Sequence, residues 1–296
     1  MDKYMLFIYN PKAGKAQIKS NLLDIIDTFV KAGYEVTAYP TQGPGDAVRA
    51  VKERRDGYDI VVCSGGDGTL DEVVTGMMQC EKKLPIGYVP AGSTNDFANS
   101  LGIPRSMVKA ADAVVDGQSF ACDIGAFNDD TFIYVAAFGL FTDVSYETRQ
   151  DIKNMLGHTA YLLEGVKRLS SIKSYQMKIS YDDVCLEGEY IYGMITNSIS
   201  VGGFKGITGK NVELNDGLFE VTLVKKPANL LEMNNIIPAL VDKRVHSDAF
   251  RSFKASKIVI ESEQEVAWTL DGEFGGGHLK AVIENKNKAL EIRIPQ

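Results

Sequence analysis

The chain of 296 residues exceeds the usual size of one hydrophobic core, which predicts two domains. Its formal net charge of −7 argues against nucleic-acid binding, because affinity for a phosphate backbone comes from clustered Lys and Arg. No apolar stretch approaches the roughly 18 residues that a membrane span needs, and the N-terminus has no secretory signal pattern. We therefore expect a cytosolic protein whose four widely spaced cysteines stay reduced.

Strand and helix patterns alternate over about the first 120 residues. Short apolar runs at 4–9, 34–39, 60–63 and 86–89 predict strands, and apolar residues at helical spacing lie between them. Such alternation predicts an α/β domain with a parallel sheet, in which ligands bind at the carboxyl ends of the strands. Polar loops rich in Gly, Ser, Thr, Asn or Pro follow all four strands, so we expect these loops to share a cleft.

The loop at 65–69 reads GGDGT and lies between a predicted strand and a predicted helix. Its glycines predict positive φ angles and N–H groups close to an anion, and the helix behind it offers its unpaired N-terminal donors. Phosphate oxygens would repel Asp67 unless a cation stood between them, which indicates a magnesium ligand or a member of a water network. A purely structural turn is the alternative, although such a turn needs neither the acid nor the hydroxyl. The sequence therefore predicts a nucleotide site with a metal.

Two other nucleotide-binding patterns are disfavoured. The loop is not GxxxxGK followed by Ser or Thr, and it is not GxGxxG with a distal acid. This loop therefore argues against the P-loop and the dinucleotide-binding mechanisms.

Strands follow one another from about Cys122 onward, and several alternate polar and apolar residues. This pattern predicts a mostly β, antiparallel sandwich domain, interrupted by helical inserts at 148–171 and 228–241. We expect a nucleotide-binding domain over 1–122 and a substrate-binding, catalytic domain over 123–287. The last strand, near 288–296, is expected to return to the first domain, with a cleft between the two.

Five segments resemble, in their order, those of bacterial diacylglycerol kinases and related lipid kinases, whose catalytic region is shared with sphingosine kinases. They are NPKAG at 10–14, GGDGT at 65–69, GSTNDFA at 92–98, DGL at 216–218 and DGE at 271–273. GGDGT alone also fits NAD kinases, but the later segments are more specific. The resemblance implies an NAD-kinase-like α/β domain, a β-rich second domain, and magnesium-dependent transfer of phosphate from ATP to a lipid hydroxyl.

The same resemblance implies which residues bind ATP. Asp67 and Asp96 would join a network of carboxylates, water and magnesium beside the phosphates. The implied ATP site consists of Asn10, Pro11, Lys12, Ala13, Gly14, Thr41, Gly65, Gly66, Asp67, Gly68, Thr69, Leu70, Asp71, Thr94, Asn95 and Asp96.

A second, structural magnesium ion is implied in the C-terminal domain, held by Glu213, Asp216 and the backbone carbonyl of Leu218, with Asp123 as an outer member. Oxygen ligands suit magnesium. The alternative is a plain β-turn at 215–217, because Asn-Asp-Gly is a strong turn sequence.

Asp271 and Glu273 are the candidates for the catalytic base, because phosphoryl transfer needs a carboxylate placed to accept the hydroxyl proton. Asp271 is the first choice. Glu273 would point to the same face if the strand continued, so it could be the base or orient nucleotide or metal. The alternative is that Asp271-Gly272 is only a hairpin turn.

One position departs from the family pattern. The family commonly has Asn after GGDGTL, whereas this chain has Asp71 and then Glu72. Acids suit the start of a helix, yet they oppose the nucleotide if they face it.

The predicted function is a lipid kinase that makes phosphatidic acid or its equivalent from diacylglycerol or a related lipid. An NAD kinase-like enzyme for a soluble substrate and a catalytically silent nucleotide-binding regulator are the alternatives. A membrane lipid substrate implies peripheral contact with the inner membrane face, to which basic residues could contribute positive potential unless they only line a solvated helix face. Self-association within the family also implies a homodimer. These basic residues are Lys12, Lys15, Lys19, Arg149, Lys153, Lys167, Arg168 and Lys173.

Overall fold

Four parallel strands organise the N-terminal half of the computed structural model, which describes residues 3–140, 142, 173–202, 204–205, 208, 211–228, 232 and 249–296. They lie in the order β4-β3-β1-β2, and the inner strand β3 is buried throughout. Helices connect them, as predicted for alternating βα units. The elements are β1 (Lys3–Tyr9), a 3₁₀ helix (Ala13–Ala16), α1 (Ile18–Lys31), β2 (Tyr34–Pro40), α2 (Asp46–Arg54), β3 (Ile60–Gly65), α3 (Asp67–Met78), β4 (Ile86–Pro90), α4 (Asp96–Ser100) and α5 (Met107–Asp116).

The C-terminal half is built from strands that pair antiparallel. A parallel α/β half followed by a β-rich half confirms the predicted fold class. The strands are β5 (Gln118–Phe127), β6 (Asp130–Phe132), β7 (Val135–Gly139), β8 (Tyr175–Tyr181), β9 (Val184–Thr196), β10 (Ser200–Val201), β11 (Phe204–Lys205), β12 (Phe219–Lys225), β13 (Phe250–Ala255), β14 (Lys257–Leu270) and β15 (Glu273–Ile294).

The 22-residue strand β15 joins the two halves. Its first part pairs antiparallel with β14, and its last part pairs with β5. Near its end, Ile292 also pairs parallel with Ile86 of β4. One sheet therefore runs through both halves, in the order β13-β12-β9-β7-β14-β15-β4-β3-β1-β2.

Residues 132–138 do not form one continuous strand. β6 ends at Phe132 and β7 begins at Val135, so Ile133 and Tyr134 belong to neither strand. The reason is that the N–H groups of residues 133, 134 and 135 donate to the side chain of Asp271. Backbone donors used in this way cannot continue a strand ladder.

The predicted helices over 148–171 and 228–241 lie outside the described residues, apart from Ala228 and Glu232. Within the described ranges, no helix combines the length and apolar character needed to cross a bilayer.

Asp123 on β5 is a fully buried carboxylate that connects β5 to two other segments of the C-terminal half. Its oxygens accept the N–H groups of Gly217 and Lys288, both at 2.7 Å. They also accept the side-chain amides of Asn287 at 3.0 Å and Asn285 at 3.2 Å. Four donors satisfy the buried charge without a cation, as burial of a carboxylate requires. Asp123 thereby ties β5 to the loop before β12 and to β15.

We predict that Asp123→Asn destabilises the protein by about 3 kcal/mol, because an amide nitrogen would face donors that need an acceptor. The free energy of unfolding in urea measures this change. Glu261→Gln is the control, since it alters only an exposed ion pair with Lys280 and should change stability little. Equal stability of the two variants would contradict the role given to Asp123.

Candidate active site

The GGDGT loop connects β3 to α3, and its glycines provide space rather than left-handed backbone. The expectation of positive φ is wrong, because Gly65, Gly66 and Gly68 all lie outside that region. A Cβ on Gly65 would instead overlap with the Thr69 side chain. α3 begins at Asp67, so the first donors of the helix face the loop. This arrangement suits a bound anion.

The neighbouring loops approach the GGDGT loop closely. A Cβ on Gly92 would lie 2.7 Å from Gly66 Cα, and one on Gly14 would overlap with the Ala91 carbonyl oxygen. Backbone bonds complete the arrangement: Ala91 N–H donates to Gly65 O at 2.7 Å. The loops after β1, β3 and β4 therefore form one surface at the carboxyl edge of the sheet.

The loops after β1 and β2 are also fixed by backbone bonds. Asn10 N–H donates to Ser64 O at 2.8 Å, and Thr41 N–H donates to Tyr9 O at 2.9 Å. The Asn10 side chain contacts Thr69 Oγ1 at 3.5 Å and accepts the Lys12 N–H at 2.9 Å. All four predicted loops thus meet at one edge of the sheet.

Asn95 holds its own loop in shape. It adopts a left-handed conformation with φ of 51°. Its Oδ1 accepts the Gly92 N–H at 2.9 Å and the Tyr88 hydroxyl at 3.3 Å, and its Nδ2 donates to Gly92 O at 2.8 Å. The Asn95 side chain is therefore used within the protein.

Thr94 and Ser64 carry buried hydroxyls with no hydrogen-bond partner in the part of the chain that the structure describes. Buried polar atoms of this kind usually have a protein or water partner, so a ligand group at this edge would satisfy them. Together with the glycine loops and the start of α3, they fit a bound polyphosphate.

Asp67 and Asp96 are the first residues of two helices at this edge. The pKa of the Tyr88 hydroxyl lies well above its ordinary value. Burial of the hydroxyl is the main cause, and the charge of the nearby Asp67 is the next. Asp96 is buried and accepts the Ser200 hydroxyl at 2.9 Å. Carboxylates beside the phosphate loop are suitable oxygen donors for magnesium, directly or through water.

Glu72 does not oppose a nucleotide, because its carboxylate binds the start of α2. Oε1 accepts the Gly45 N–H at 2.8 Å, and Oε2 accepts the Ala47 N–H at 3.0 Å. These are donors that a helix N-terminus leaves unpaired. Glu72 therefore caps α2 and fixes the loop that follows β2.

Asp271 is both a hairpin turn residue and a buried acid. Asp271 and Gly272, with φ of 51° and 92°, form the two-residue turn between β14 and β15. Its Oδ2 accepts the Ile133 N–H at 2.5 Å, and its Oδ1 accepts those of Tyr134 and Val135, both at 2.9 Å. The hairpin turn is therefore present, and the role of Asp271 as the catalytic base stays a prediction.

Asp71 contacts Asp271 across the junction of the two halves. Burial, then repulsion by Asp271 and the hydrogen bond to it, and finally repulsion by Asp130 and Glu72, together raise the pKa of Asp71 to about 9. Burial also raises the pKa of Asp271, to about 6, against the lowering effect of the three N–H groups from Ile133 to Val135. At neutral pH the pair therefore holds one proton, mainly on Asp71, which donates it in a hydrogen bond to Asp271.

Glu273 lies in a different environment from Asp271. Because the chain turns at 271–272, the strand does not continue past Asp271, and Glu273 pairs with Leu270 at the start of β15. Its side chain is exposed, whereas Asp271 is buried. The two candidate bases therefore do not share an environment.

An ion pair occupies the loop at 211–218, where the resemblance implies a structural magnesium ion. Lys254 Nζ lies 2.9 Å from Asp216 Oδ2 and 3.0 Å from Glu220 Oε1. Asp216 Oδ1 accepts the Leu218 N–H at 2.9 Å, and Glu213 is exposed. In the described ranges, no group of three or more His, Cys, Asp or Glu side chains could hold a metal ion. Because Lys254 already balances Asp216, the loop does not fit a preformed magnesium site, and metal binding there stays a prediction.

Comparison with known proteins assigns both halves. Residues 4–127 match the diacylglycerol kinase catalytic domain, and residues 136–293 match the YegS C-terminal NAD kinase beta sandwich-like domain. The chain is 37% identical over 293 residues to a diacylglycerol kinase of Bacillus subtilis (strain 168), covering 98% of this chain and 95% of that protein. It is 34% identical to one of Staphylococcus carnosus (strain TM300), covering 100% and 96%.

A solved structure agrees with these matches. A crystal structure from Bacillus anthracis str. Sterne, provisionally described as a diacylglycerol kinase, superposes with a TM-score of 0.82 and 26% identity. The match covers 99% of this chain and 97% of that one. Fold and motifs together define a two-domain lipid kinase. The chain belongs to the diacylglycerol kinase family, which confirms the resemblance seen in its sequence.

We predict that Asp71→Asn stabilises the protein by about 2 kcal/mol at pH 8. The pKa of Asp71 rises on folding from its ordinary value of 3.8 to about 9. Its contribution to the free energy of unfolding is therefore largest below pH 3.8 and is lost as the pH rises toward 9. An Asn amide can still donate to Asp271 but has no proton to lose. Unfolding measured at pH 5 and pH 8 should show a gain that grows with pH.

The control for this prediction is Asp130→Asn, which removes an exposed neighbour of Asp71 and should give a smaller gain. A loss of stability in Asp71→Asn at pH 8 would show that Asp71 is bound as an ion.

Proposed function

We propose that this lipid kinase transfers the γ-phosphoryl group of ATP to the free hydroxyl of diacylglycerol, in a magnesium-dependent reaction that yields phosphatidic acid. The observation that supports this most is Asp271. It is a buried carboxylate, fixed by three N–H groups, in contact with the helix that begins at the phosphate-binding loop. A carboxylate in that position can accept the proton of an alcohol that attacks a bound phosphate.

Different residues would have different roles in phosphoryl transfer. ATP would supply the phosphoryl group, and Asp67 and Asp96 would hold a magnesium ion whose charge would offset the negative charge on the phosphates. The loops at 10–14, 65–69 and 91–95 hold the phosphates with N–H donors and the start of α3. Asp71 hydrogen-bonds to Asp271, and the N–H groups at 133–135 fix the direction of the Asp271 carboxylate. Asp271 takes the acceptor's proton as its oxygen approaches the phosphorus.

A soluble dinucleotide is the rival acceptor, because GGDGT also fits NAD kinases and the C-terminal half matches an NAD kinase-like sandwich. The full-length likeness to proteins named diacylglycerol kinase favours the lipid. Labelled ATP offered with diacylglycerol micelles or with NAD distinguishes them. Tight ATP binding without transfer to either acceptor would favour the silent regulator.

Contact with the acceptor's membrane is part of the proposal. A lipid hydroxyl lies at the bilayer surface, so the enzyme would act peripherally at the inner membrane face. Lys12 and Lys173 are exposed among the described residues, and residues 149–168 lie outside them. A homodimer remains a prediction.

We predict that Asp271→Asn lowers kcat for diacylglycerol about a hundredfold or more, because the amide cannot accept the proton. This variant should also lose stability, as at Asp123, because the amide nitrogen would face a backbone N–H group, so kcat is compared under conditions in which the variant is folded. The assay is transfer from labelled ATP to diacylglycerol in micelles, with unfolding measured in parallel. Glu273→Gln, compared in the same assay, should lose less than about tenfold. The reverse order would assign the base to Glu273.

We also predict the pH dependence of the reaction. A base works when ionised, so activity is present above its pKa and is lost as pH falls through it. Since the pKa of Asp271 is raised to about 6, kcat/KM should fall about tenfold per unit below that pH. A profile that stays flat from pH 7 to pH 5, with the protein folded, would remove Asp271 from the base role.

A further inference from the structure

Three serines join α4 of the nucleotide-binding half to the chain that follows β9 in the other half. Ser200 Oγ donates to Asp96 Oδ1 at 2.9 Å. Ser100 Oγ lies 2.8 Å from Ser198 Oγ and accepts the Ile199 N–H at 3.2 Å. Ser198 in turn donates to Ser200 O at 2.6 Å. We call these residues, Asp96, Ser100, Ser198 and Ser200, the serine bridge.

The Ser200 hydroxyl has a specific function in this bridge. Asp96 and Ser200 are each 1% exposed, so bulk water cannot replace a lost contact at the carboxylate. Asp96 is the first residue of α4, directly after the loop that closes against Gly66. A hydrogen bond from a hydroxyl to a buried carboxylate is stronger than one between neutral groups and fixes its direction. Ser200 therefore orients Asp96 from the opposite domain.

The same segment also contacts Tyr134, which binds Asp271. Asn197 N–H donates to Tyr134 O at 3.0 Å. Tyr134 N–H donates to the Asp271 carboxylate at 2.9 Å, and the Tyr134 hydroxyl donates to Asp271 O at 3.0 Å. Residues 197–200 thus lie between the element that carries Asp96 and the element that fixes Asp271.

We propose that Ser200 is a positioning residue for phosphoryl transfer: its hydroxyl holds the Asp96 carboxylate toward the phosphate-binding edge and sets the register of the two domains. This rests on the proposed function, in which Asp96 belongs to the network beside the phosphates. Ser200 acts through Asp96 and does not touch the reacting atoms.

The test compares Ser200→Ala with Ser100→Ala. Each variant removes one hydroxyl from the serine bridge. Ser100 Oγ contacts the backbone oxygen of Asp96 at 3.0 Å, so only Ser200→Ala removes a donor from the Asp96 carboxylate. Ser200→Ala should lower kcat for diacylglycerol at least tenfold and weaken ATP binding in magnesium about fivefold by titration calorimetry without lipid, with binding in EDTA unchanged. Ser100→Ala should change kcat and ATP binding by less than about twofold, while it destabilises the protein about as much as Ser200→Ala does.

A double-mutant cycle completes the test. If Ser200 acts through Asp96, the double variant Asp96→Asn, Ser200→Ala should have a kcat within about twofold of that of Asp96→Asn alone. Equal effects of Ser200→Ala and Ser100→Ala, or additive effects in the cycle, would overturn the proposal and leave the serine bridge a structural contact.

The calorimetric measurement separates this proposal from the proposed function. If the wild-type protein phosphorylates no diacylglycerol, the proposed function fails. Ser200 is then judged by magnesium-dependent ATP binding alone: a loss confined to Ser200→Ala supports its action on Asp96, and no such loss overturns it.

Discussion

The structure depends on one hydrogen-bonded cluster, in which the Asp271 carboxylate accepts the N–H groups of residues 133–135. A carboxylate buried at a domain junction is costly unless its oxygens are satisfied. Satisfying it here requires a strand to break between β6 and β7 and a non-glycine residue to adopt a φ of 51°. Such strained positions persist where the surrounding contacts determine them, and they concentrate at functional sites. The same contacts give the carboxylate of the proposed base a fixed direction.

Asp123 is a second buried carboxylate whose oxygens are satisfied by hydrogen-bond donors of the protein. Like Asp271, it is buried near the junction and is satisfied by N–H groups and amides rather than by Lys or Arg. The two carboxylates differ in their charged neighbours. Asp271 contacts Asp71 and therefore shares a proton, whereas the donors to Asp123 among the described residues are neutral groups of Gly217, Lys288 and the two asparagines. Asp123 is thus a structural anchor, and Asp271 is a group whose protonation can change near neutral pH.

Local patterns in the sequence predict much of this molecule. Apolar runs and helical spacing predict the parallel sheet, and the ordered motifs predict the loops that meet at its edge. What they miss are contacts between distant residues. Nothing near Ile133 indicates a broken strand, because the acceptor of its N–H is 138 residues away. The partner of Asp71 and the link from Ser200 to Asp96 are hidden for the same reason. The glycines of GGDGT were predicted to adopt positive φ, but their lack of a side chain matters through close packing instead.

The first turns of α3 show how these distant contacts meet. Successive residues of a helix are about 100° apart, so residues four apart share a face and the next residue points elsewhere. Asp67 therefore lies at the phosphate edge, Asp71 reaches Asp271 in the other half, and Glu72 caps α2. One rigid turn connects the phosphate loop, the candidate base and the loop after β2. A shift at the start of α3 must therefore move all three together, which makes this helix the element that links the GGDGT loop to the position of Asp271.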